Sequence, residues 1–118
     1  KHITMVAGIL NLATHEVCWS SAGHYPPPII FEPNQPPQIL TTSSFPLGLT
    51  EELEVVEHRC TLSRQARFIL CSDGALEPFD GGLNDQFNQL VEHLQHDAFK
   101  APDHVADDIA IISICRMN

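Results

Sequence analysis

Arg67-Phe68-Ile69-Leu70-Cys71-Ser72-Asp73-Gly74 is the stretch that decides the fold, because an apolar run ends there on a carboxylate and a glycine. Phe68 to Cys71 carries no polar side chain, the pattern of a strand covered on both faces. Asp73 then stands where the chain leaves the sheet, a place where a rigid strand fixes a side chain that the following loop keeps accessible. An Asp-Gly pair after a strand is equally an ordinary turn. The rest of the chain has to separate the two.

Outward from this stretch, the pattern is that of one mixed domain. Thr4 to Leu10 and Glu16 to Ser21 read as strands joined by the polar break Asn11 to His15, an antiparallel hairpin with Val17 and Trp19 on one face and Cys18 and Ser20 on the other. Ala22-Gly23-His24-Tyr25-Pro26-Pro27-Pro28 admits neither a helix nor a central strand, since proline fixes φ and lacks the backbone donor. Ile29 to Phe31 and Gln38 to Leu40 read as short strands about the turn-rich tip Glu32 to Pro37. Phe45 to Leu49 reads as a packed loop, Glu54 to Cys60 as a strand, Thr61 to Gln65 as a turn, and Ala75 to Gly82 as a mobile loop. From Leu83 to Phe99 the period changes. Leu83, Phe87, Leu90, Val91 and Leu94 share one face of a helix that Pro102 is expected to end. Asp107-Asp108 then precedes a last apolar strand, Ile109 to Cys115.

Composition limits the functions open to such a domain. The chain has 118 residues, 43% hydrophobic, with fifteen acids against six bases and a net charge of −9. That balance argues against a nucleic-acid surface and suits metal cations or basic partners. No apolar run is long enough to cross a bilayer, so no membrane role is expected. Cys18, Cys60, Cys71 and Cys115 are widely spaced, with no Cys-x-x-Cys pair; they read as buried reduced thiols and imply a cytoplasmic setting. The opening on Lys1-His2, without Met and directly before strand-like sequence, leads us to expect a missing N-terminal region.

The carboxylates carry the chemistry. Asp73 stands at the exit of one apolar strand and Asp107-Asp108 at the entrance of another, so if the two strands are antiparallel neighbours all three acids fall at one sheet edge. Converging carboxylates suit hard divalent ions such as Mg²⁺ or Mn²⁺. Two adjacent exposed acids before a strand are also a common solvated pair in an acidic chain. His93 and His96, three apart on the predicted helix, are expected to be solvated rather than metal-bound, and Ser72 lies in no Gly-x-Ser-x-Gly nucleophile elbow.

Four segments in order carry a family resemblance: Ala22-Gly23-His24-Tyr25-Pro26-Pro27-Pro28-Ile29, Phe45-Pro46-Leu47-Gly48-Leu49, Leu70-Cys71-Ser72-Asp73-Gly74-Ala75-Leu76-Glu77, and Asp107-Asp108-Ile109-Ala110. Together they resemble the C-terminal part of the metal-dependent type 2C protein phosphatases (PPM), in the branch of the sporulation stage II protein E. The resemblance spans nearly all of residues 1–118. It implies an α+β fold, an αββα sandwich of two mainly antiparallel β-sheets flanked by helices, present here as a partial domain. It implies two Mn²⁺ or Mg²⁺ ions sharing a water that attacks a phosphoserine or phosphothreonine. Asp73 and Asp107 match the family's metal-binding, catalytic acids; Asp108 matches a variable second position and is the third metal candidate. His24 matches an element read as structural.

One departure matters. The family's central bridging Asp lies upstream, and this chain has no Asp before Asp73. These 118 residues alone are therefore expected to be inactive. The resemblance further implies a bacterial signalling phosphatase, the output of a response regulator or sensor in a stress response, acting on a phosphorylated protein such as an anti-sigma factor antagonist. A receiver or sensor domain upstream and a homodimer are compatible with it. The competing expectation is a degenerate phosphatase-like adaptor that binds a sigma factor or its regulator without catalysis.

Overall fold

The computed structural model describes residues 3–41, 46–48, 51, 56–104 and 106–118. Among these residues seven strands and one α-helix follow in order: β1 (Met5–Leu10), β2 (Glu16–Ala22), β3 (Ile29–Phe31), β4 (Gln38–Ile39), β5 (His58–Thr61), β6 (Arg67–Cys71), α1 (Leu83–Gln95) and β7 (Ile111–Cys115), with a 3₁₀ turn over Asp73–Leu76. They form a three-stranded sheet, β1-β2-β5, and a four-stranded sheet, β4-β3-β6-β7. Every pairing between strands is antiparallel.

The sheets face one another. Val17 and Trp19 of β2 meet Ile30 and Phe68 of the four-stranded sheet, with Leu62 and Ala66 completing this core. Side chains alternate along a strand, so the neighbours Ile29, Phe31, Ile69 and Cys71 point the other way, where α1 covers them with Phe87, Leu90 and Leu94. β6 is thus buried on both faces and flanked by β3 and β7, as its unbroken apolar run required. The two-sheet α+β sandwich expected from the sequence is present, with α1 on its four-stranded side.

The β1–β2 hairpin forms as the pattern demanded. Its loop is shaped by Asn11, whose side-chain oxygen accepts from the N–H groups of Ala13 (2.9 Å) and Thr14 (3.1 Å). The first proline peptide, Tyr25-Pro26, is cis.

Several expectations need correction. The helix ends at Gln95, not Phe99: Asp97 turns to φ 52°, Ala98 N–H reaches the His93 carbonyl at 2.7 Å and Asp97 N–H that of Leu94 at 3.2 Å. This is a Schellman termination, which satisfies the last carbonyls before Pro102 has any influence. Leu83, at the first turn, is exposed rather than on the buried face. Ala75 and Leu76 are not part of a mobile loop but lie in the 3₁₀ turn, buried in the helix-side core. β5 begins at His58, and Glu54-Val55 of the expected strand lie outside the described residues, as do Phe45 and Leu49 of the expected packed loop. Leu47 of that loop makes a bridge with Ile3. Of the four thiols, all free, only Cys71 is buried; Cys18 and Cys60 are half-buried and Cys115 is exposed, since Cys18 lies between Val17 and Trp19 and so on the outer face of the central strand β2, while Cys60 and Cys115 lie on the edge strands β5 and β7. No helix among the described residues is long and apolar enough to cross a membrane.

Candidate metal-binding edge

The β6–β7 register places the acids. Cys71 pairs with Ile111, so the exit of β6 and the entrance of β7 lie side by side. Beyond the ladder Ser72 continues it: its N–H donates to the Ala110 carbonyl at 2.8 Å, and its hydroxyl accepts from Ala110 N–H at 2.8 Å and donates to the Asp108 carbonyl at 3.3 Å. One serine therefore ties the turn that carries Asp73 to the segment that carries Asp107 and Asp108.

Gly74 brings the two segments closer still. A Cβ built there would lie 2.1 Å from the Asp108 carbonyl oxygen. Its φ is outside the left-handed region, so the glycine answers to close approach of backbones and not to an unusual turn. Asp107 accepts a hydrogen bond from Asp108 N–H through Oδ1 at 2.8 Å. Asp73, Asp107 and Asp108 are all exposed. Behind them Ala75 and Leu76 anchor the 3₁₀ turn in the core. The arrangement is an acidic, solvent-facing edge on a rigid base.

His24 lies behind this edge, its Nε2 2.7 Å from the Cys71 carbonyl. A carbonyl only accepts, so Nε2 carries the proton. Burial pushes the Cys71 thiol itself up to about 11, leaving it neutral beside the site. His93 and His96 are exposed at the far end of α1; His93 Nδ1 contacts the Gln89 carbonyl at 2.8 Å and its ring lies against Phe79.

The donor types at this edge, carboxylate and carbonyl oxygens, are those that a hard divalent cation takes. The donor number falls short of a whole site. Among the described residues no group of three or more His, Cys, Asp or Glu side chains is placed to hold a metal ion. The sequence pattern put the three acids at strand ends, and the register sets those ends side by side; Ser72 as the tie between the two segments and the steric demand at Gly74 were not foreseen. The Ser-Asp-Gly order was visible; which backbone the glycine would meet was not.

Comparison with known proteins agrees with this architecture. No curated protein sequence matches. The RsbU and RsbW domains of a Mycobacterium tuberculosis protein superpose with a TM-score of 0.75 at 19% identity, over 96% of this chain and 36% of that one. The phosphatase domain of the cell fate determinant SpoIIE from Bacillus subtilis superposes with a TM-score of 0.68 at 13% identity, over 97% of this chain and 56% of that one. A second Bacillus subtilis structure, the PP2C phosphatase domain of SpoIIE with a fragment of its regulatory domain, gives a TM-score of 0.63 at 17% identity, over 98% of this chain and 39% of that one. The chain thus spans between 36% and 56% of the first two of these structures, and at such identities the likeness is one of fold. The sequence profile of Stage II sporulation protein E (SpoIIE) matches residues 1–116, nearly the whole length, and the chain belongs to that family.

Proposed function

We propose that these residues are the C-terminal part of a metal-dependent protein serine/threonine phosphatase domain in a bacterial signalling protein. The observation that carries the proposal is the convergence of Asp73 with Asp107 and Asp108 at one sheet edge, held by Ser72 and by the approach of Gly74 to the Asp108 carbonyl. In this reading Asp73 and Asp107 are metal ligands and Asp108 an accessory one. Bound Mn²⁺ or Mg²⁺ supplies an activated water and charge stabilisation for a phosphoryl group. The chain's own part is to hold two or three carboxylates at fixed spacing on a base that does not yield. The remaining ligands are assigned to sequence outside residues 1–118, and the activity to the complete domain.

The substrate proposed is a small phosphorylated regulator in the cytoplasm, such as an anti-sigma factor antagonist, with a receiver or sensor domain as the regulatory input. The test is Mn²⁺-dependent phosphate release from a phosphoserine peptide by the full-length protein. Asp73→Asn and Asp107→Asn are each expected to reduce it by two orders of magnitude or more, and undiminished turnover in Asp73→Asn rejects the assignment. A second reading, a phosphatase-like adaptor that binds a sigma factor or its regulator without turnover, draws on the absence of a three-ligand cluster among the described residues. Full-length protein that retains its partner but releases no phosphate with any divalent ion selects it.

A further inference from the structure

We propose that His24 is a positioning residue for the Asp73 turn, standing in for a backbone donor that the proline run removes. In the β3–β6 ladder Ile29 lies opposite Ile69. Carried two residues beyond this last pair of the ladder, the same register would set Pro27 opposite Cys71. On its other side β6 bonds to β7, where Ser72 N–H donates to the Ala110 carbonyl. Backbone groups of successive residues in an antiparallel strand point alternately to the two neighbours, so Cys71 directs its carbonyl toward β3. Pro27 has no N–H to offer it. Cys71 is buried, and a buried carbonyl left without a donor costs about 1–3 kcal/mol. The half-buried His24 imidazole fills the position, with Nε2 at 2.7 Å.

The consequence reaches the acids. Asp73 is two residues beyond Cys71, and the Ser72 between them is bound to Asp108 and Ala110 on the β7 side. The peptide that launches the turn is therefore gripped from both sides, by an imidazole on one and a serine on the other. Without His24 the grip is one-sided, and the turn that carries Asp73 is held only from the β7 side. The Gly-His-x-Pro-Pro order gains a physical reason: prolines close the ladder early, and the histidine just before them supplies the missing donor. The effect on metal binding rests on the function proposed above; the anchoring of the turn does not.

The experiment compares His24→Leu and His24→Gln in the full-length protein by two readouts, amide hydrogen exchange over Ser72–Ala75, which needs no metal, and Mn²⁺ affinity by paramagnetic resonance titration. The leucine variant is expected to speed exchange over that turn while the β1–β2 hairpin keeps its protection, and to weaken Mn²⁺ binding by about 10-fold or more. Glutamine, whose amide reaches the same carbonyl, is expected to restore both. If the leucine variant does not fold, His24→Asn, with an amide too short to reach, takes its place. Exchange unchanged by loss of the imidazole overturns the proposal, and so does an equal loss of Mn²⁺ affinity in the glutamine and leucine variants. If the unsubstituted protein binds no Mn²⁺ while exchange follows the expected pattern, the anchoring role stands and the metal-site reading falls.

Discussion

The two sheets are built from similar residues and live under different constraints. The four-stranded sheet is covered twice, by the other sheet and by α1, so that Phe68 and Ile69, neighbours in sequence, are both almost fully buried in separate cores. Among the described residues the three-stranded sheet is covered once: Val17 and Trp19 are buried, while on β1 Met5 is 48% and Ile9 74% exposed. The candidate site grows from the sheet with no slack. A strand packed on both faces gives the turn that carries Asp73 a fixed base.

The widest separation between the sheets is expected from truncation. Phe68→Ala, which opens a cavity between the sheets, is expected to cost about 3–5 kcal/mol in urea denaturation. Ile9→Ser on the uncovered face is expected to change stability by about 0.5 kcal/mol or less. Comparable losses for both would show that the outer face of the three-stranded sheet is packed in solution, and the contrast would collapse.

Next in size is the seam where the acids meet. Gly74→Ala places a methyl carbon 2.1 Å from the Asp108 carbonyl oxygen, a clash with backbone that no rotamer relieves. The expected loss is about 1–3 kcal/mol, with chemical-shift changes concentrated at Asp107 to Ala110. A neutral substitution would mean that the β7 entrance gives way freely, and the rigid-base account of the site would fail with it.

Alkaline titration isolates the same sheet by chemistry. Cys71 is raised to about 11 in the folded chain by burial, against an ordinary thiol value near 9.0. The neutral thiol is thus the form favoured by the fold. Its contribution is complete below pH 9 and is lost as pH rises from about 9 to about 11, because the unfolded chain gives up its proton first. The loss is expected to reach about 2 kcal/mol. Cys71→Ala is expected to flatten that part of the stability curve, and Cys115, exposed at the end of β7, is expected to react with iodoacetamide at pH 8 while Cys71 does not.

What could be read from the sequence follows the same division. Burial on two faces leaves an unbroken apolar run and burial on one leaves alternation, so β6 and the hairpin were legible from side-chain pattern alone. The antiparallel neighbourhood of β6 and β7 was inferable only as a condition, since nothing local in either strand names its partner. Leu62 and Ala66, both in the inter-sheet core, sit singly among polar residues and gave no period to detect. Asp73, Asp107 and Asp108 were singled out as candidates because carboxylates at strand ends are conspicuous. His24 was read as structural without its bond being foreseen, since its reach to Cys71 depends on a register 47 residues away.

The smallest effect concerns how tightly the covered sheet is finished. The helix that covers it stops on Asp97 at φ 52°, a conformation that costs an L-residue energy and that glycine adopts freely. A carboxylate there also faces the negative end of the helix dipole. Asp97→Gly removes both penalties and is expected to raise stability by about 1 kcal/mol, whereas Asp97→Asn removes only the charge and is expected to yield roughly a third to a half of that. Thermal unfolding of the two variants separates the contributions. If glycine is no better than asparagine, backbone strain is absent and the termination is held by its two hydrogen bonds alone. If glycine is better, the most constrained layer of the protein still carries one uncorrected strain, placed at the end of α1 where the Arg67 guanidinium grips the Leu94 and Gln95 carbonyls, away from the acids.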